Sequence, residues 1–163
     1  MQIDSELLDN AILEQEKETI FRLYAWSPKC ISLGRNQKDD FIKGKSIDVV
    51  KRLTGGRALL HDNEITYSCV MPAQEGMSVN DSYKQISGIL INFFKTLGVE
   101  LDFGENKKIS TKFDYCMLIS TGADVCYQGK KIIGSAQFRK QGYILQHGSI
   151  LFDYDKIFLE ELF

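Results

Sequence analysis

Apolar positions recur at helical spacing in two stretches of the chain, and elsewhere they alternate or gather into short runs. Leu7, Leu8, Ile12 and Leu13 predict a first helix that Asp4 or Ser5 can cap and that runs to about Lys17. Ile86, Ile89, Leu90, Phe93, Phe94 and Leu97 predict a second, from about Ser82 to Leu97, with Asn80 or Asp81 as cap and Gly98 as stop. Strands are predicted over 19–26, 30–33, 65–70, 99–103, 123–128, 131–138, 143–145 and 149–152. Ser27-Pro28, Gly129-Lys130 and Gln141-Gly142 read as the turns between them. A short helical piece is expected around 39–43, a charged loop over 104–112, and the closing DKIFLEELF resembles the start of an amphipathic helix that is barely completed. Strands outnumber helices and are joined by hairpins rather than βαβ crossovers. The pattern therefore predicts one α+β domain over 1–163, a largely antiparallel sheet carrying helices on one side.

Composition narrows the classes. With 44% hydrophobic residues in 163, the chain can bury one sizeable core. A formal charge of −2 gives no basic excess, so nucleic acid is a poor partner. No apolar run is long enough to span a bilayer, and the acidic, amphipathic N-terminus is unlike a secretory signal or transit peptide. Cys30, Cys69, Cys116 and Cys126 show no CxxC spacing, which predicts reduced thiols and a cytoplasmic address. Two histidines without carboxylates at ligand spacing predict no metal site.

The chemistry concentrates in two stretches. Residues 49–68, VVKRLTGGRALLHDNEITYS, place Lys51, Arg52, Arg57, His61 and Asp62 around a Thr54-Gly55-Gly56 break. Adjacent glycines allow positive φ and close backbone approach to a ligand, and the flanking cations suit an anionic or polarised group. His61 and Asp62 are neighbours at a strand end and point in different directions, which argues against a catalytic dyad. Residues 129–153, GKKIIGSAQFRKQGYILQHGSILFD, carry a lysine before Gly134-Ser135-Ala136 and a second polar block, Gln146-His147-Gly148. Upstream, Gly34-Arg35-Asn36-Gln37 reads on its own as a solvated loop.

Together these stretches resemble the two signatures of the lipoate-protein ligase and octanoyltransferase family. The first is close to Arg-Arg-x-Thr/Ser-Gly-Gly-x-x-Val-x-His-Asp, with Lys51 standing for the first Arg; the second is Lys-x-x-Gly-Ser-Ala-Gln followed by Gln-His-Gly-Ser-Ile-Leu. Gly34 to Gln37 matches the family's Gly-x-x-Gln beside its acyl pocket. Arg57 stands where the ATP-dependent ligases usually have a third Gly, so the chain is more similar to the cysteine-dependent octanoyltransferases.

The resemblance implies the class II synthetase-like, biotin/lipoate ligase fold. It implies an acyl pocket formed by Arg52, Thr54, Gly55, Gly56, Arg57, His61, Gly134, Ser135, Ala136, Gln146, His147 and Gly148. His147 could equally be a hydrogen-bonded core histidine. Lys131 matches the lysine that contacts the acyl carbonyl, and Cys116, thirteen residues before Gly129, matches the acyl-accepting cysteine. A thiolate is the reactive form, which nearby cations favour. Cys116 is followed here by MLISTGADV, which begins at Met117, a departure from the family's usual Cys-Phe. The implied activity is transfer of an octanoyl or lipoyl group from acyl carrier protein to a lysine of lipoyl domains of 2-oxoacid dehydrogenases or of the glycine cleavage H protein, with no cofactor. Two alternatives stay open. One is ATP-dependent ligation through an acyl-adenylate, with ATP and Mg, Lys51, Arg52 and Lys131 on phosphate and carbonyl oxygens, and a separate accessory chain. The other is a non-catalytic binder of lipoyl domains or acyl groups. The chain is shorter than most relatives, which leaves open a truncation at the C-terminus.

Overall fold

Two long strands with buried side chains on both faces form the centre of the molecule. A computed structural model describes residues 1–104, 122, 124–153 and 155–162. In it, β5 (Glu64–Pro72) and β9 (Tyr143–Leu151) pair antiparallel along their whole length, Thr66 opposite Ser149 and Ser68 opposite His147. β8 (Lys130–Lys140) lies on the other side of β9, with Gly134 opposite Ser149 and Ala136 opposite His147. β1 (Ile20–Tyr24) closes one edge, and β7 (Val125–Tyr127) followed by β6 (Asp102–Phe103) closes the other, giving the antiparallel order β1-β5-β9-β8-β7-β6. A second, three-stranded sheet places β2 (Cys30–Leu33) between β3 (Asp48–Lys51), which is parallel to it, and β4 (Leu59–His61), which is antiparallel. The Gly55-Gly56 loop is the link from β3 to β4.

Three helices flank these sheets: α1 (Gln2–Glu14), α2 (Val79–Thr96) and α3 (Lys156–Leu162). The expectation of helices on one side is overturned. Successive strand residues face opposite ways, and both faces of the large sheet are apolar. Val70 and Leu145 pack against Leu8 and Ala11 of α1, whereas Cys69, Met71 and Ile144 pack against Ile86 and Leu90 of α2.

Tertiary contacts also move several boundaries. α1 starts at Gln2 with no side-chain cap, so Asp4 and Ser5 lie inside the helix; it stops at Glu14, where Gln15 turns left-handed at φ 52°. α2 is capped by Ser78, whose Oγ accepts the Asp81 N–H at 3.1 Å, rather than by Asn80 or Asp81. Residues 39–43 form turns instead of a helix. The two strands predicted at 143–145 and 149–152 are one, because the polar block between them is buried and hydrogen-bonded within the sheet. α3 is completed by long-range help: Lys45 Nζ donates to the carbonyls of Glu161 and Leu162, and Leu162 packs with Ile31 and Leu60. Among the described residues no helix is long and apolar enough to cross a membrane.

Candidate functional site

Arg52, the first residue after β3, organises the glycine loop from within. It is 7% exposed, and its five N–H groups all have acceptors in the protein. Nη1 donates to the Ser32 carbonyl at 2.6 Å and to Ser32 Oγ at 2.7 Å. Nη2 donates to the carbonyls of Gly55 at 3.2 Å and Arg57 at 2.8 Å, and Nε reaches Thr54 Oγ1 at 3.4 Å. The guanidinium therefore clamps the loop backbone. The neighbouring loop presses from behind: Arg35 N–H donates to the Thr54 carbonyl at 2.8 Å, and a Cβ on Gly34 would land on the Gly56 carbonyl.

Two histidine relays run outward from this clamp. Ser32 Oγ lies 2.6 Å from His61 Nε2, His61 Nδ1 lies 2.5 Å from Glu64 Oε1, Thr66 donates to the same oxygen at 2.6 Å, and Trp26 Nε1 donates to Thr66 at 2.8 Å. Trp26 also stacks on the His61 ring, with centroids 4.5 Å apart. Ser32, His61 and Glu64 are ordered like a catalytic triad, yet all three are buried and the hydroxyl already accepts from Arg52. They hold the clamp, and of the three only His61 reaches the cleft wall. On the other side, Thr54 Oγ1 lies 2.7 Å from His147 Nε2, and His147 Nδ1 lies 3.3 Å from Asp4 Oδ2. Asp4 also takes Tyr24 O–H at 2.8 Å and Arg22 Nη1 at 2.9 Å.

Burial would raise the Asp4 carboxyl, but hydrogen bonds from His147 and Tyr24 outweigh it and hold the group down at about 2. Burial lowers His147 against the opposing pull of Asp4, so the ring is neutral at neutral pH. With Asp4 ionised, the consistent assignment puts the proton on Nδ1 and leaves Nε2 to accept from Thr54.

Between the loop and the large sheet lies a cleft enclosing about 490 Å³ with its open mouth included. Its floor is the sheet face carrying Thr66, Ser149, Gly134, Ala136 and His147, and its roof is the glycine loop with Leu59. Most of the expected pocket residues converge here: Arg52, Gly55, Gly56, Arg57, His61, Gly134, Ser135, Ala136, His147 and Gly148. Thr54 stands just behind, bonded to His147. The two loop glycines differ: a Cβ on Gly55 would meet no protein atom within 4 Å, whereas Gly56 has φ +96° and a Cβ there would press on Arg52 Nη2 at 3.3 Å. At Gly148 the constraint is internal packing, since a Cβ would lie 2.5 Å from the Gly134 carbonyl and 2.7 Å from Tyr67 Cε1.

Gln146 points to the α2 face and does not line the cleft. Its amide accepts from Gln137 and donates to Tyr67 O–H, each at 2.6 Å, and Tyr67 O–H lies 2.6 Å from Ser135 Oγ. Burial raises the Tyr67 phenol above its ordinary value, so it remains a donor. Lys131 is also absent from the cleft wall. Its ammonium pairs with Asp124 at 3.1 Å, both side chains 7% exposed. Cys116 and all but Gly104 of the loop expected over 104–112 fall outside the described residues. Burial pushes Cys30 and Cys69 up to about 12, as suits inert core thiols. Asp62 turns outward to Lys29 at 3.4 Å while His61 points inward, as adjacent strand-end residues should. Asp4 and Ser32 were not singled out for the site by the pattern of the sequence, because each acts through a contact remote along the chain; Glu64 and Asp124, whose partners His61 and Lys131 lie three and seven residues away, were not singled out either.

Residues 1–163 match the family described as the lipoyl protein ligase A/B catalytic domain. The chain is 38% identical over 175 residues to octanoyltransferase LipM of Clostridioides difficile, covering 100% of this chain and 63% of that protein. It is 37% identical over 179 residues to octanoyltransferase LipM of Staphylococcus aureus, with the same coverage. It thus spans a little under two thirds of these relatives. Among solved structures it is similar to lipoate-protein ligase A bound with ATP, at TM-score 0.75 and 23% identity over 99% of this chain and 66% of that one. A structure described as a bi-partite lipoate protein ligase and its E2 lipoyl domain from Thermoplasma acidophilum gives TM-score 0.68 and 24% identity over 98% and 59%. At these identities the structural likeness establishes a shared fold, the mixed α+β architecture with a mainly antiparallel sheet.

Proposed function

Because this chain belongs to the lipoyl protein ligase A/B catalytic domain family, we propose that residues 1–163 form a catalytic domain that moves an octanoyl group from acyl carrier protein to a lysine of a lipoyl domain, by way of a thioester on Cys116. The relatives that carry the name octanoyltransferase support the acyl group and the transfer. The acceptor would be a lipoyl domain of a 2-oxoacid dehydrogenase or the glycine cleavage H protein. The likeness to a structure described as a lipoate protein ligase and its E2 lipoyl domain supports that class. Chemistry that depends on a free thiol suits the reducing cytoplasm.

The sequence of bonds is simple. The Cys116 thiolate attacks the thioester carbonyl, a tetrahedral oxyanion forms, and the carrier thiolate leaves and takes a proton. The acceptor lysine amine then attacks the new thioester, its nitrogen loses a proton, the amide forms, and Cys116 is released. The Lys131 ammonium, fixed by Asp124, would stabilise the oxyanion in both steps. The acyl chain would lie along the cleft floor, where Gly134 and Ala136 keep the sheet surface low.

One observation favours this over ATP-dependent ligation: Lys51 and Arg52, two of the cations that ligation would use, do not share a cleft. Arg52 spends all five N–H groups on the protein, and Lys51 is exposed beside a separate cleft with Gln37 and Lys38. As placed here, these residues do not fit ATP and Mg. In a mixture of protein, octanoyl-carrier protein and lipoyl domain from which ATP has been stripped enzymatically, octanoylated lipoyl domain is expected to accumulate, and Cys116→Ser to stop it. Product that forms only from free octanoate with ATP and Mg would establish ligation instead.

A further inference from the structure

A buried carboxylate inside the first helix is an odd choice if that helix serves only packing. Asp4 is 1% exposed, next to positions where α1 buries Leu8 and Ala11. Burying an ionised carboxylate is costly without partners, and an apolar residue could fill the same space. Its partners show a use. Arg22 and Tyr24 hold the carboxylate, and the carboxylate faces His147 Nδ1. A carboxylate can only accept, so the His147 proton sits on Nδ1 and the Nε2 lone pair is offered to the Thr54 hydroxyl at 2.7 Å. Thr54 is then tied at both ends, its hydroxyl to His147 and its carbonyl to Arg35 N–H. The next two residues are Gly55 and Gly56, which have no side chains with which to anchor themselves.

We infer that Asp4 is a positioning residue of the cleft: through His147 and Thr54 it fixes the backbone of Gly55 and Gly56, so the first helix sets the shape of the cleft roof without touching it. The effect on catalysis rests on the acyl-transfer reading; the effect on the loop does not. The groups facing His147 are Asp4, Arg52 and His61, and burial keeps the ring neutral among them. A purely structural role would be met by the Arg22–Asp4 pair alone, which ties α1 to β1 and leaves the ring tautomer free.

The full chain has only two histidines, so their ring nitrogens can be assigned by NMR. His147 is expected as the Nδ1–H tautomer. Asp4→Asn is expected to admit the Nε2–H form and to speed amide exchange at Gly55 and Gly56 about tenfold, the loss of one net hydrogen bond, with α2 amides unchanged. Arg22→Met should leave both readouts as in the parent, and Thr54→Val, should Asp4→Asn fail to fold, should reproduce the exchange at the loop. Nε2–H in the parent, or loop exchange unmoved in both Asp4→Asn and Thr54→Val, overturns the relay. The Asp4→Asn octanoyl-transfer rate should fall with the KM for the carrier unchanged. A parent that transfers no octanoyl group would defeat the activity reading while the tautomer and exchange data still decide the relay.

Discussion

Gly34→Ala is expected to reduce octanoyl transfer by about a hundredfold, the scale of a 1 Å misplacement in a reacting site. The new Cβ would land on the Gly56 carbonyl and lie 3.2 Å from the Gly55 carbonyl carbon. Both neighbours are backbone, so no side chain can swing aside. The 34–37 loop and the glycine loop must part, and their link from Arg35 N–H to the Thr54 carbonyl is strained with them. Overpacking of this kind costs about 1–3 kcal/mol, enough to lower the melting temperature without preventing folding. Gly55→Ala is the informative contrast, since its Cβ meets no protein atom within 4 Å. It should melt like the parent, and any lost transfer would then come from crowding of the acyl chain. Calorimetry and transfer rates on the two variants separate loop displacement from exclusion of substrate.

Lys131→Met is expected to lose transfer by about a hundred- to a thousandfold, the usual effect of removing one oxyanion donor. It should also destabilise the protein. The alternating pattern of the strand suggests a solvent-facing lysine that could be removed freely, but the ammonium is buried against Asp124 at 3.1 Å. Removing one partner of a buried ion pair costs about 3–5 kcal/mol, because the remaining charge is stranded. A loss of activity in the single variant would therefore be ambiguous. Lys131→Met combined with Asp124→Asn removes both charges and should recover most of the melting temperature. Transfer should not return. Recovery of rate along with stability would mean that Lys131 acts only as scaffold.

These expectations show where the sequence is legible. Apolar periodicity located both long helices and most strands, and the two signature blocks named most of the residues that line the cleft. Hairpin-linked strands predict helices on one side of the sheet, whereas Cys69-Val70-Met71 and Ile144-Leu145 are apolar at consecutive positions, the mark of a strand buried on both faces. Asp4 reads as a helix cap in one dimension and becomes an acceptor for His147 only once α1 packs on β9. The obligation on Gly34 comes from a loop some twenty residues away along the chain. Arg52, expected to face a ligand, turns inward because the Gly55 and Arg57 carbonyls need a donor that a glycine loop cannot supply itself. Local pattern carries none of these contacts, which appear only once the chain has folded.

The covalent intermediate is the centre of the account, and it can be weighed directly. The protein is mixed with octanoyl-carrier protein, with neither ATP nor a lipoyl domain present, and its intact mass is recorded. A gain of one octanoyl group that hydroxylamine removes and that Cys116→Ser abolishes is the result the account predicts. A protein that stays unmodified, or a gain that persists in Cys116→Ser, would contradict it.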